Sequence, residues 1–131
     1  MITILVDHNL EGDAVSLWGV AARDGWVDLI PMRLLTFADV NLPVDSDDRV
    51  VWRFAQANRM LLLTDNRNMK GDDSLELTMR EEAVADSLPV VTIGDRARLD
   101  QHDYREQCVS RLVEIVVDLD HYLGYHRLFI P

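Results

Sequence analysis

The sequence predicts a single three-layer α/β/α domain around a mostly parallel sheet of four or five strands. Two observations predict it. Short apolar runs rich in branched residues alternate with amphipathic stretches, and each run ends in a polar turn. No linker, internal repeat or low-complexity segment divides the 131 residues, a length sufficient to enclose a hydrophobic core. Such alternation implies right-handed crossovers and helices on both faces of the sheet. Ligands of these sheets bind beyond the carboxyl ends of the strands, where the connections diverge.

The first run, Ile2 to Val6, is a buried strand that closes on Asp7-His8-Asn9. Leu10, Ala14, Leu17, Trp18 and Ala21 then share one helix face, and Asp24-Gly25 ends that helix. Val27 to Leu35 reads as a second strand, with Pro31 pointing to an edge position. After the Asn41-Leu42-Pro43 loop, Asp45 or Ser46 caps a helix whose first turn holds Asp47 and Asp48. Met60 to Leu63 is a third strand, closing on Thr64-Asp65-Asn66. Gly71 marks a turn, and Asp73 or Ser74 caps a helix reaching about Asp86; with Asp73 as cap, Glu76 completes a capping box. Leu88 to Ile93 is a fourth strand, followed by Gly94 and Asp95, the latter read as a cap. Cys108, Leu112, Ile115, Val116, Leu119 and Leu123 stripe the last helix, and Arg127 to Ile130 reads as a short fifth strand.

Composition narrows the function. A hydrophobic content of 48% is too high for a disordered chain, and no apolar stretch is long enough to span a bilayer. The single cysteine, Cys108, excludes a disulfide framework and a cysteine-based zinc cluster, so a reducing, cytoplasmic setting is expected. The net charge of −10 removes the phosphate-neutralising surface of a general nucleic-acid binder. An acidic protein can still process nucleic acid if its carboxylates hold metal ions in one cleft.

The acids recur in that context. Asp7, Asp65 and Asp95 follow strands one, three and four, and Asp48 opens the helix before strand three. Carboxylates brought together raise one another's pKa and call for a cation. Oxygen ligands suit Mg²⁺ or Mn²⁺, which can activate water and stabilise a leaving oxygen in phosphodiester cleavage. Each aspartate also has a bland role as turn former or cap. On the residues alone that role is the expectation for Asp48, Asp72, Asp73 and Asp95.

Leu5-Val6-Asp7-His8-Asn9-Leu10 resembles the opening of the PIN-like family of small bacterial proteins, whose first strand ends in Asp-Glu-Asn-Leu. The segments Asp48 to Ala55 and Leu61 to Met69 are similar to that family's second and third segments. The resemblance spans about two thirds of the chain. It implies a PIN-like fold and a Mg²⁺- or Mn²⁺-dependent ribonuclease acting on single-stranded RNA, often the toxin of a toxin–antitoxin pair with a cognate antitoxin as partner. It also implies catalytic and metal roles for Asp7, Asp48 and Asp65. The family's third segment usually reads Thr-x-Asp-x-Asp-Phe, whereas this chain carries the amides Asn66 and Asn68 at those acid positions. Both remain candidate ligands through their carbonyl oxygens, which add no charge. His8 replaces the family's glutamate after Asp7.

His8, Asn9, Arg67 and Lys70 are candidate substrate contacts, the last two set among acids in the polar stretch from Thr64 to Glu76. Charge balance and a surface turn are the plainer roles for them. No nucleophile elbow, phosphate loop or dinucleotide fingerprint is present, and His121 and His126 are off the spacing that pairs two ligands on a helix. Two other readings stand beside the nuclease: a PIN-like binding module without activity, and a receiver-like signalling domain. The receiver reading lacks an acid pair after strand one and a lysine after strand five.

Overall fold

The computed structural model describes residues 1–67 and 74–131. Its strands are β1 (Ile2–Val6), β2 (Met32–Leu35), β3 (Met60–Thr64), β4 (Val90–Ile93) and β5 (Arg127–Ile130). Its helices are α1 (Glu11–Arg23), α2 (Trp26–Leu29), α3 (Asp48–Ala57), α4 (Leu75–Glu82) and α5 (His102–Val117). The five strands form one all-parallel sheet in the order β2-β1-β3-β4-β5. No described helix is long and apolar enough to cross a membrane.

Strand side chains alternate between faces, and the two core clusters follow that alternation. Ile4, Val6, Leu61, Leu63, Val91 and Ile93 pack beneath α1 and α5, whose Leu17, Val20, Cys108 and Leu112 are buried there. Leu5, Met60, Leu62 and Val90 face the other way, against Val51, Trp52 and Ala55 of α3 and Leu75 and Met79 of α4. The result is a three-layer α/β/α sandwich with both faces covered, as continuous apolar strands require.

The connections are not uniform in hand, contrary to the expectation from the alternation alone. The steps β3 to β4 and β4 to β5 run in the same direction across the sheet. Yet α4 lies on the α3 face and α5 on the α1 face, so these two crossovers have opposite hands. The physical reason lies in α5, which buries seven residues and packs along α1. Without it, that face of β3 to β5 would lie bare.

Several element boundaries differ from those the sequence suggests, each for a local reason. The chain from Val27 to Leu35 is not one strand: Gly25, at φ 84°, opens the short α2, and β2 begins only after Pro31. The cap of α3 is Asp47, accepting from Val50 N at 2.9 Å, while the Ser46 hydroxyl donates to the Pro43 carbonyl. The described cap of α4 is Ser74, accepting from Leu77 N, which leaves Glu76 free of a capping box; Asp73 lies outside the described residues. α4 ends at Glu82 because Ala83 turns extended. β4 starts at Val90, since both backbone groups of Leu88 bond the Gln56 side chain. Asp95 makes no side-chain cap; its N–H donates to the Tyr104 hydroxyl.

Candidate active site at the sheet switch point

β1 connects leftward to β2, while β3 lies on its right, so the connections part between β1 and β3. That parting opens a crevice at the carboxyl ends of the strands. A cavity of about 670 Å³ occupies it, and Asp7, Asp48, Asp65, Asn66, His8 and Arg96 are among the residues that line it.

Asp7 continues the β1–β3 ladder by one bond, its N–H donating to the Leu63 carbonyl at 2.9 Å. It therefore has the same orientation as Leu5, toward the α3 face. Thr64, in step with Leu62, points the same way and is fully buried. The Thr64 hydroxyl accepts from Asn66 N at 3.0 Å, which leaves its proton to donate to Asp7 Oδ2 at 2.7 Å. Burial pushes the Asp7 carboxyl above its ordinary pKa; the Thr64 bond pulls it back, and the charges of Asp48 and Asp65 push it up again. Asp7 thus senses both other acids.

Asp48 comes from the first turn of α3. Its Oδ2 accepts from Asn66 Nδ2 at 2.9 Å and from Leu75 N, at the start of α4, at 3.2 Å. A carboxylate accepts only, so the Asn66 side chain must present its amide nitrogen there. Asp65 is odd in the alternation and turns to the α1 side. It pairs with Arg96 at 3.0 Å, and the same guanidinium reaches Asp13 of α1 at 3.0 Å and the Asn9 carbonyl at 2.7 Å. The bond to Asp13, ahead of that to Asp65, raises the Arg96 pKa.

Beneath this rim, Arg127 of β5 is nearly buried. It bonds Glu76 through Nε at 2.7 Å and pairs with it through Nη2 at 2.5 Å, and its Nη1 donates to the Asn66 carbonyl and the Thr92 hydroxyl, both at 2.7 Å. Asn66 is thereby held at both its backbone and its side chain.

Of the residues singled out from sequence, Asp7, His8, Asn9, Asp48, Asp65, Asn66 and Arg67 all line the cavity. Asn68, Lys70 and Asp72 lie outside the described residues. Among the described residues, no three histidine, cysteine or carboxylate side chains form a group that could hold a metal ion. Sequence reasoning missed Thr64, Arg96 and Arg127. Arg96 sits at the end of β4, on the same rim as the acids, and Arg127 is a lone charge in an apolar strand. Both positions were signals.

No protein-family model, no curated protein and no solved structure matches the chain. The class that fold and site define is a doubly wound α/β/α domain with an acid-lined cavity at its switch point.

Proposed function

We propose that this chain is a PIN-like, Mg²⁺- or Mn²⁺-dependent ribonuclease acting on single-stranded RNA, with low activity. One observation carries the reading: a half-buried carboxyl, Asp7, has its proton affinity raised by burial and by two further acids converging from α3 and β3. Carboxylates held at such a cost gather at functional sites. Asp7 and Asp48 fit a hard cation, because Mg²⁺ needs only one or two carboxylates and keeps its remaining waters. When bound, the ion supplies charge stabilisation and a more acidic water. Thr64 orients Asp7, and Asn66 with Leu75 N orients Asp48. Asp65, paired with Arg96, stands beside this seat and contributes its field. A cognate antitoxin belongs to the same reading as the partner.

The binding module without activity is favoured by a separate observation. Asp48 and Asp65 each already have protein partners, so both acids are satisfied without a cation. The strand order is also that of receiver domains, but Asp7 has no second acid next to it in the chain and Asp65 is occupied by Arg96.

The deciding experiment incubates the full chain with single-stranded RNA in Mn²⁺. Metal-dependent cleavage that Asp7→Asn abolishes supports the nuclease. A wild type inert across substrates, whose melting temperature ignores millimolar Mn²⁺, leaves the binding module.

A further inference from the structure

His8 stands next to Asp7 on the cavity wall, and its ring is held from two sides. Nδ1 meets Glu11 Oε1 at 3.3 Å, and the ring packs against Phe37 at a centroid distance of 6.0 Å and a tilt of 38°. Phe37 is buried, whereas the His8 side chain keeps 40% exposure. An aromatic ring so restrained and still open to the cavity costs little entropy when a flat group lies on it.

The charge of the protein makes that ring matter. With 23 acidic side chains against 13 lysines and arginines, a net charge of −10, the usual source of RNA affinity is weak. Arg96, which lines the cavity together with Arg67, already serves Asp65, Asp13 and the Asn9 carbonyl. Stacking on a π-face needs no charge, and histidine is among the side chains on which unstacked RNA bases lie. We infer that His8 is a specificity-determining residue: it stacks the nucleobase flanking the phosphate that a divalent cation at Asp7 and Asp48 would hold. The inference rests on the nuclease reading and adds a base seat to it. Purines, with more area to cover, are preferred there.

The test titrates the full chain into single-stranded RNA oligonucleotides carrying one 2-aminopurine at successive positions, with Ca²⁺ present. Wild type quenches the fluorophore at one position, with a shallow dependence on salt. His8→Ala loses the quench and weakens binding by about tenfold, the range of one stacked base, while His8→Tyr retains both within about twofold. Melting curves of the two variants check folding. The stack is overturned if His8→Ala quenches like wild type, or if a folded His8→Tyr fails as His8→Ala does. Should wild type cleave RNA in an Asp7-dependent way while His8→Ala keeps its KM, only the stack falls. Should wild type neither bind nor cleave any oligonucleotide, the nuclease reading falls and takes the stack with it.

Discussion

Arg96→Ala isolates the charge balance of the cavity. The side chain makes two ion pairs and one bond to a carbonyl, joining the turn after β1, α1 and the end of β3. It is 45% exposed, with Asp13 and Asp65 at 36% and 22%. Solvent screening therefore limits each ion pair to about 0.5–1 kcal/mol. The carbonyl bond, to a charged donor, adds about 1 kcal/mol. A total near 2 kcal/mol, set against an unfolding entropy of roughly 0.28 kcal/mol per kelvin for 131 residues, lowers the melting temperature by about 7 °C. Under the proposed function, the same substitution also removes a positive charge from the wall of the cavity where a cation would sit. In general a divalent ion and a guanidinium repel by about 1–3 kcal/mol at a separation of roughly 10 Å, so loss of Arg96 should raise Mn²⁺ affinity about tenfold. At saturating metal that adds about 1.4 kcal/mol of stabilisation, or about 5 °C. Circular dichroism melts of both proteins, in EDTA and in millimolar Mn²⁺, read the two effects separately. The variant should start lower and gain more. An equal Mn²⁺ shift in both proteins refutes the coupling of Arg96 to the metal seat.

Three further outcomes follow from the same geometry. The folded Asp7 carboxyl binds its proton more tightly than an ordinary aspartate of pKa 3.8, so its ionisation costs stability, and the cost sets in as pH rises from 3.8 through the folded value. Metal-free Asp7→Asn should then melt above wild type at pH 7, with the gap closing below pH 3.8; a variant that melts lower at pH 7 contradicts the assignment. Arg127→Met leaves Glu76 without its partner, and because Glu76 is a quarter exposed the loss is about 2–3 kcal/mol rather than the full buried-pair value. Urea unfolding should show it, and Glu76→Gln in the same background should recover at least half. Asn66→Asp replaces a donor to Asp48 with a like charge, lowering metal-free stability by about 1–2 kcal/mol; calorimetry should find tighter Mn²⁺ binding in the same variant.

Strands were legible because their apolar runs are continuous and close on polar turns; β1 and β5 have the bounds the sequence suggests. The helical stripes gave α1 and the buried face of α5, including Cys108, whose thiol burial pushes up to about 11. α5 ends at Val117, however, so Leu119 and Leu123 of the predicted stripe fall in and after a 3₁₀ turn that still packs on the core. What sequence did not reveal depends on tertiary partners. Leu88 belongs to an apolar run, but a glutamine 32 residues earlier takes its backbone out of the sheet. The opposite hand of the last crossover follows from α5 packing on α1, a contact that no local pattern encodes. At the site, the strand-end acids were visible as positions. Their partners, Arg96 and Arg127, come from β4's exit and from β5, and only the strand order brings them to the same rim.

The parity of the third strand is what separates the two functional readings. Just beyond β3, position 66 continues the face of Leu62 and Thr64, where Asp7 and Asp48 lie, and position 65 turns toward α1. An acid at position 66 would enter the Asp7–Asp48 seat; the acid at 65 instead meets Arg96 and, through it, Asp13. Asn66 keeps the position but offers Asp48 an N–H, a bond that satisfies the carboxylate without adding charge. With the acid at 65 rather than 66, Asp7 and Asp48 share one face, while Asp65, whose charge still reaches Asp7, is paired with Arg96. Two carboxylates suffice for an ion that keeps its waters, but they bind it more weakly than three. In the nuclease reading, Asn66 and Arg96 therefore join the number of carboxylates in setting how tightly such an ion is held.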